Sequence, residues 1–256
     1  MIRFDCHVHI FEQITPIAGA RYVPVSPAPL VDWQARLQQH GLQGGVIVQV
    51  SFLGEDNTQL LQALKQLDKQ RFAGVAVVSL DSNDDALAAL SAAGVRGVRW
   101  NLIAGATVPD VTDPQVQRFL GRLRDHDMHL EIQLESGRLA AVLPGLLALP
   151  VPLVIDHLGL PESDAAHEPW LNALQSERKR DGLYVKLSAP YRGVADPDLH
   201  IARLLTLLPP ERFFWGSDWP HTRFEDGADY LGLKARLDEQ IDDTSAVATL
   251  YALSAH

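Results

Sequence analysis

Residues 2–10 read IRFDCHVHI, a short apolar run that begins almost at the first residue and ends in two histidines. Read as a strand, it sends successive side chains to opposite faces. That alternation puts Asp5, His7 and His9 on one face and sends Cys6 and Val8 toward a layer of helices. Seven further runs of the same character follow: GGVIVQV (44–50), FAGVAVVSL (72–80), VRGVRWN (95–101), HLEIQL (129–134), PLVIDHLG (152–159), LYVKLSA (183–189) and FFWGSDWP (213–220). Amphipathic segments separate them, among them LVDWQARLQQHG (30–41), DPQVQRFLGRLRDHD (113–127) and DPDLHIARLLTLL (196–208). After the eighth run come DYLGLKARLDEQ (229–240) and a last helical segment around SAVATLYAL (245–253). Eight strands, each followed by a helix, predict a closed parallel (β/α)8 TIM barrel with a C-terminal helix, and a doubly wound open sheet is the alternative.

A chain of 256 residues suits one such barrel, so residues 1–256 are read as a single domain. Apolar residues make up 46% and charged residues 21%, a globular composition without an apolar run long enough for a spanning helix. The formal net charge of −10 argues against nucleic acid as partner, because phosphate binding needs a basic face. It leaves open a small anionic substrate held by a few arginines in a cleft. The single cysteine, Cys6, excludes an internal disulfide and a multi-cysteine zinc site, and with no signal-like N-terminus it predicts a cytoplasmic protein. The loop from Pro16 to Pro29, PIAGARYVPVSPAP, is too long for an ordinary βα turn, and loops of this kind often carry function.

Catalytic groups of a parallel barrel collect at the C-terminal ends of its strands. Strand one ends in His7 and His9, strand six in Asp156 and His157, and strand eight in Asp218, followed by Pro220 and His221. Strand four offers Arg99, with Arg96 beside it, and strand seven runs into Ser188, Tyr191 and Arg192. Each taken alone has a structural reading, as a hydrogen-bonded histidine or an internal ion pair. Together, His7, His9, His157 and Asp218 point to a site. Asp5 and Asp156 are expected to support it. Ser51 and Ser188 lack the G-x-S-x-G nucleophile context, and Cys6 faces away in this register, so serine and thiol nucleophiles are disfavoured.

At these residues the sequence resembles the amidohydrolase superfamily, and within it the 2-pyrone-4,6-dicarboxylate hydrolases and related lactonases. The likeness runs through FDCHVHIFE, RYVPVSPAP, VIVQVSFLGEDN, GVRGVRWN, VIDHLG, SAPYR, FFWGSDWPH and LYAL. It implies hydrolysis of an anionic lactone, with Asp218 activating water and His7, His9 and His157 donating hydrogen bonds to the carbonyl oxygen. Arg99 and Arg192 would hold substrate carboxylates, with Tyr191, Tyr22, His221 and Arg21 on the rim. Two departures from the family pattern stand out. Gln133 or Glu135 occupies the place of the strand-five histidine of metal-dependent members, and no lysine ends strand four to bridge two metals. No cofactor is therefore expected; the alternative is one zinc per chain on His7, His9, His157 and Asp218, in a zinc-dependent hydrolase or decarboxylase. The loop after strand four, NLIAGATVPD, also lacks the second arginine of the pyrone hydrolases, which keeps sugar lactones in view. A non-catalytic anion-binding protein is the remaining class, and the assembly is expected to be a monomer or homodimer.

Overall fold

The computed structural model describes residues 1–178, 180–193 and 196–254. Eight parallel strands form one sheet in sequence order: β1 (Phe4–Val8), β2 (Gly44–Val48), β3 (Phe72–Ala76), β4 (Val95–Asn101), β5 (His129–Gln133), β6 (Leu153–Ile155), β7 (Leu183–Ser188) and β8 (Phe213–Gly216). Helices α1 (Leu30–Gln39), α2 (Thr58–Leu64), α3 (Asp84–Ala92), α4 (Pro114–Asp125), α5 (Ser136–Leu146), α6 (Pro169–Ser176), α7 (Pro197–Leu207) and the short α8 (Lys234–Leu237) follow strands one to eight in turn. A last helix, α9 (Thr244–Tyr251), completes the chain. The predicted (β/α)8 barrel with a C-terminal helix is the fold.

Local chemistry starts several helices where the pattern placed them. The side chains of Asn83, Asp113 and Asp196 accept from backbone N–H groups in the first turns of α3, α4 and α7. Pro114, Pro169 and Pro197 sit in first turns, where a missing N–H costs nothing. The barrel closes through the segment after β8: the Asp218 N–H donates to the His7 carbonyl and the His9 N–H to the Trp219 carbonyl, each at 2.8 Å. Gly216 makes this seam possible, since a Cβ there would lie 2.5 Å from that of His7.

The strand alternation expected for β1 fails at one point. Its pairing with β2 slips between Asp5 and Val8, so that one extra residue is accommodated on β1. Such an irregularity breaks the two-residue period. Asp5 consequently turns away from His7 and His9, toward α1, where Trp33 Nε1 donates to it at 3.2 Å. Cys6, expected to face the helices, instead packs inside the barrel with Phe4, Val46, Val75, Phe214 and residues of α9. His7 also turns inward, to within 3.6 Å of both Asp156 and Asp218.

The middle of the barrel holds charge as well as hydrocarbon. Lys186, fully buried, sits 2.8 Å from Glu131 and 3.1 Å from Asp156, and Asp156 also accepts from Arg99 Nε at 2.7 Å. Tyr251 of α9 donates to Glu131 at 2.7 Å and so closes the network from below. Burial pushes the Glu131 carboxyl up, but the Lys186 ammonium outweighs it and brings the group to about 2. Its contribution to stability is therefore complete above about pH 4.5, the unfolded value, and is lost as pH falls toward 2. Lys186→Met removes the cation shared by two buried carboxylates and leaves Glu131 without one, since Asp156 keeps Arg99; it is expected to cost about 3–5 kcal/mol in chemical denaturation, and a loss below about 1 kcal/mol would show that the network does not hold the barrel.

Candidate active site

The C-terminal mouth of the barrel encloses a cavity of about 280 Å³. His9, Arg99, Gln133, His157, Arg192 and Asp218 form its depth, together with Ser51, Asn101 and Thr222; Arg21, Tyr22, Ile103, Ala104 and Arg223 also line it. Every strand-end expectation except Arg96 falls in this region, but at different distances from the cavity. His7 is fully buried behind the lining, and Tyr191 and His221 stand behind Asp218. Arg96 turns elsewhere and donates to the Ser91 and Val95 carbonyls.

Asp218 is the centre of the arrangement. Its Oδ2 accepts from Tyr191 Oη at 2.7 Å and from Arg192 Nε at 2.8 Å, with the Arg192 Nη2 at 2.7 Å. Its Oδ1 has no hydrogen-bond partner among the described residues. That oxygen faces three imidazole Nε2 atoms, of His7 at 3.6 Å, His9 at 3.8 Å and His157 at 3.9 Å. Burial pushes the Asp218 carboxyl up, yet the Arg192 guanidinium and the surrounding imidazoles outweigh it, and the group lies far below the usual carboxylate range. Asp218 is thus ionised, with one oxygen clamped and one exposed to chemistry.

The histidines differ in what they can offer. The His9 Nδ1 lies 2.8 Å from the Val48 carbonyl, which can only accept, so Nδ1 carries the proton. Burial lowers the His9 ring to about 3, leaving it neutral with a lone pair on Nε2. It can accept a hydrogen bond or ligate a cation there, not donate as expected from sequence. His157 Nδ1 is 2.8 Å from Ser188 Oγ, a hydroxyl that can donate and leave Nε2–H pointing at the site. Burial lowers His7 and His157 as well, and the nearby Lys186 ammonium adds to the effect at His7. Ser188, dismissed as a nucleophile, orients a histidine.

Asp5 acts from outside the barrel wall. Its carboxylate accepts from Ser217 N at 2.8 Å, Ser217 Oγ at 2.7 Å and Tyr230 Oη at 2.7 Å, which fixes the residue preceding Asp218. Arg99 combines both roles weighed for it: it pairs with Asp156, donates to Gln133 Oε1 at 2.6 Å and lines the cavity. Arg223 was not legible, because it stands five residues beyond Asp218 in an irregular loop with no periodicity to place it. It has φ of 73°.

Among the described residues, two groups have the spacing of metal ligands. His7, Glu131 and Asp156 form one, and the Lys186 ammonium already bridges its two carboxylates. His7, His157 and Asp218 form the other, with ligand atoms within 4.8 Å of one another. There the buried His7 Nε2 and Asp218 Oδ1 have no hydrogen-bond partners among the described residues, and the donor set suits zinc.

A sequence model of the amidohydrolase family matches residues 4–252. The chain is 28% identical over 247 residues to a 4-sulfomuconolactone hydrolase from Rhizobium radiobacter, covering 91% of this chain and 82% of that protein. It is 28% identical over 239 residues to a 2-pyrone-4,6-dicarboxylate hydrolase from Comamonas testosteroni, covering 87% and 78% respectively. A crystal structure from Acinetobacter baumannii, described as a probable 2-pyrone-4,6-dicarboxylic acid hydrolase with citric acid bound, superposes with a TM-score of 0.89. It is 28% identical and covers 99% of this chain and 100% of that one.

The buried, neutral histidines have a consequence for acid stability. Unfolded histidines take up protons below about pH 6.5 while the folded rings resist, so stability falls as pH drops through that range. In long-range 15N–1H spectra His9 is expected as the Nδ1–H tautomer, without a titration shift down to about pH 4.5. A His9 ring that titrates near pH 6 to 7 would contradict this account.

Proposed function

The chain belongs to the amidohydrolase family, and we propose that it hydrolyses the ring ester of a small anionic lactone, 2-pyrone-4,6-dicarboxylate or a related dicarboxylate. The observation that carries this reading is the unpartnered Oδ1 of an ionised Asp218, facing three imidazoles on the floor of a cavity lined by four arginines. Water held against Oδ1 attacks the lactone carbonyl carbon and gives its proton to that oxygen as the new C–O bond forms. The ring C–O bond then breaks, and the ring oxygen leaves with the proton that Asp218 took from water, which returns Asp218 to its ionised form. His157, with Ser188 on its Nδ1, is the best-placed donor to the developing oxyanion. Arg99 and Arg192, which line the depth of the cavity, orient one anionic group of the ring against this centre. The names of the relatives support the lactone class, and the single cysteine supports action in the reducing cytoplasm.

A second reading is favoured by His9. An imidazole whose Nδ1–H is fixed by a backbone carbonyl and whose Nε2 lone pair faces other acceptors has the arrangement of a metal ligand. His7, His157 and Asp218 would hold one zinc, with His9 adjacent. Zinc held there would supply Lewis-acid polarisation of the substrate carbonyl.

The test is hydrolysis of 2-pyrone-4,6-dicarboxylate followed by loss of ring absorbance, before and after chelation, with metal content measured on the same sample. Turnover by metal-free protein is the expected result. Activity that disappears on chelation and returns with zinc would establish the second reading. Absence of lactone hydrolysis in both states would overturn the lactonase assignment. Asp218→Asn is expected to lower kcat by at least about 100-fold. Arg192→Ala is expected to change kcat and KM together, because Arg192 touches both Asp218 and the cavity.

A further inference from the structure

The four arginines of the cavity fall into two pairs. Arg99 and Arg192 each lie 2.7 Å from a carboxylate, Asp156 and Asp218, so their charge is already balanced. Arg21 and Arg223 have no carboxylate within ion-pair distance among the described residues. Excess positive charge in an acidic protein is therefore gathered at the outer part of one cavity, on two arginines contributed by the loops after β1 and β8.

These loops leave adjacent strands, joined where Val8 pairs with Trp219. Arg21 is fixed across the mouth: its Nη1 donates to the Ile103 carbonyl at 2.8 Å, in the loop after β4. Arg223 occupies left-handed backbone, uncommon for a side chain with a Cβ and concentrated at functional sites. Burial and the Arg99 charge lower the Arg21 guanidinium, Tyr22 and the more distant Glu135 carboxylate offset part of this, and Arg223 adds to the lowering. Cations gathered with only partial counter-charge are relieved by an anion.

Building on the lactonase reading, we propose that Arg21 and Arg223 form a second anion subsite at the cavity mouth, which selects lactones bearing a second carboxylate or sulfonate on the ring. The reacting ester lies deep, against Asp218, while the second anionic group meets the two guanidinium groups at the rim. The two arginines reach the mouth from two different loops, with the Ile103 carbonyl as the tether of Arg21. Singly charged or sugar lactones lack the group that this subsite holds.

The experiment pairs turnover with binding. Wild type, Arg21→Ala, Arg223→Ala and the double variant are compared on 2-pyrone-4,6-dicarboxylate and 2-pyrone-6-carboxylate, and by calorimetry with the unreactive pyridine-2,4-dicarboxylate and pyridine-2-carboxylate. Circular dichroism verifies that each variant is folded. Each single variant is expected to reduce the preference for the doubly charged ligand by about tenfold, the size of one charge-assisted contact, and to weaken its salt dependence. A preference unchanged in the double variant, or equal losses on singly and doubly charged ligands, would overturn the subsite. Calorimetric preference that depends on both arginines, without turnover of either lactone, would keep the subsite and overturn the lactonase reading. Wild type that fails to distinguish the two pyridine ligands would overturn the subsite even with lactone turnover intact.

Discussion

The site rests on an ammonium group in the middle of the barrel. Lys186 lies between Glu131 and Asp156 with no exposure to solvent, and without it two carboxylates would face each other in a low-dielectric interior. Such charges are tolerated only when paired and hydrogen-bonded. With Arg99 added, two cations meet two anions, and Tyr251 of α9 supplies a further donor. Arg99 is thereby held against Asp156 with its guanidinium at the cavity, and His7 has a carboxylate beneath Nδ1 and another beyond Nε2. The positions of the candidate catalytic groups follow from neutralising charge below them.

A second layer of the same logic surrounds Asp218. Three donors from two side chains, Tyr191 and Arg192, converge on one oxygen and leave the other bare. Asp5, on the opposite side of the wall, fixes Ser217 and through it the direction in which Asp218 leaves β8. His221 adds to this by contact with Tyr191 at 3.0 Å. Residues behind the cavity, together with Arg192 from its lining, thus decide which oxygen of Asp218 is left bare. Preorganisation of this kind is what lets a buried carboxylate act without first rearranging its surroundings.

Two of the departures from the expected pattern, at Asp5 and Cys6, share one origin. A two-residue period reads Asp5 as a neighbour of His7, but the slipped pairing of β1 against β2 puts them on opposite sides. The same slip brings Cys6 inside. The donor role expected for His9 also depended on a tautomer, and the partner that sets it, the Val48 carbonyl, lies thirty-nine residues away in sequence. Long-range contacts of this sort leave no trace in local composition.

The sequence by itself determined the barrel, through eight β-branched runs separated by amphipathic helices, and it placed His7, His9, His157 and Asp218 at strand ends. Those features are local, arising from periodicity and from the rule that polar strand ends gather at one face. Only the tertiary structure decided which oxygen of Asp218 is bare, which imidazole nitrogen carries a proton, and that Arg223 joins Arg21 at the mouth. Each of those is set by pairing across the barrel, where closure brings together residues as distant as Asp5 and Ser217, and one-dimensional spacing cannot encode the partner that a side chain will find.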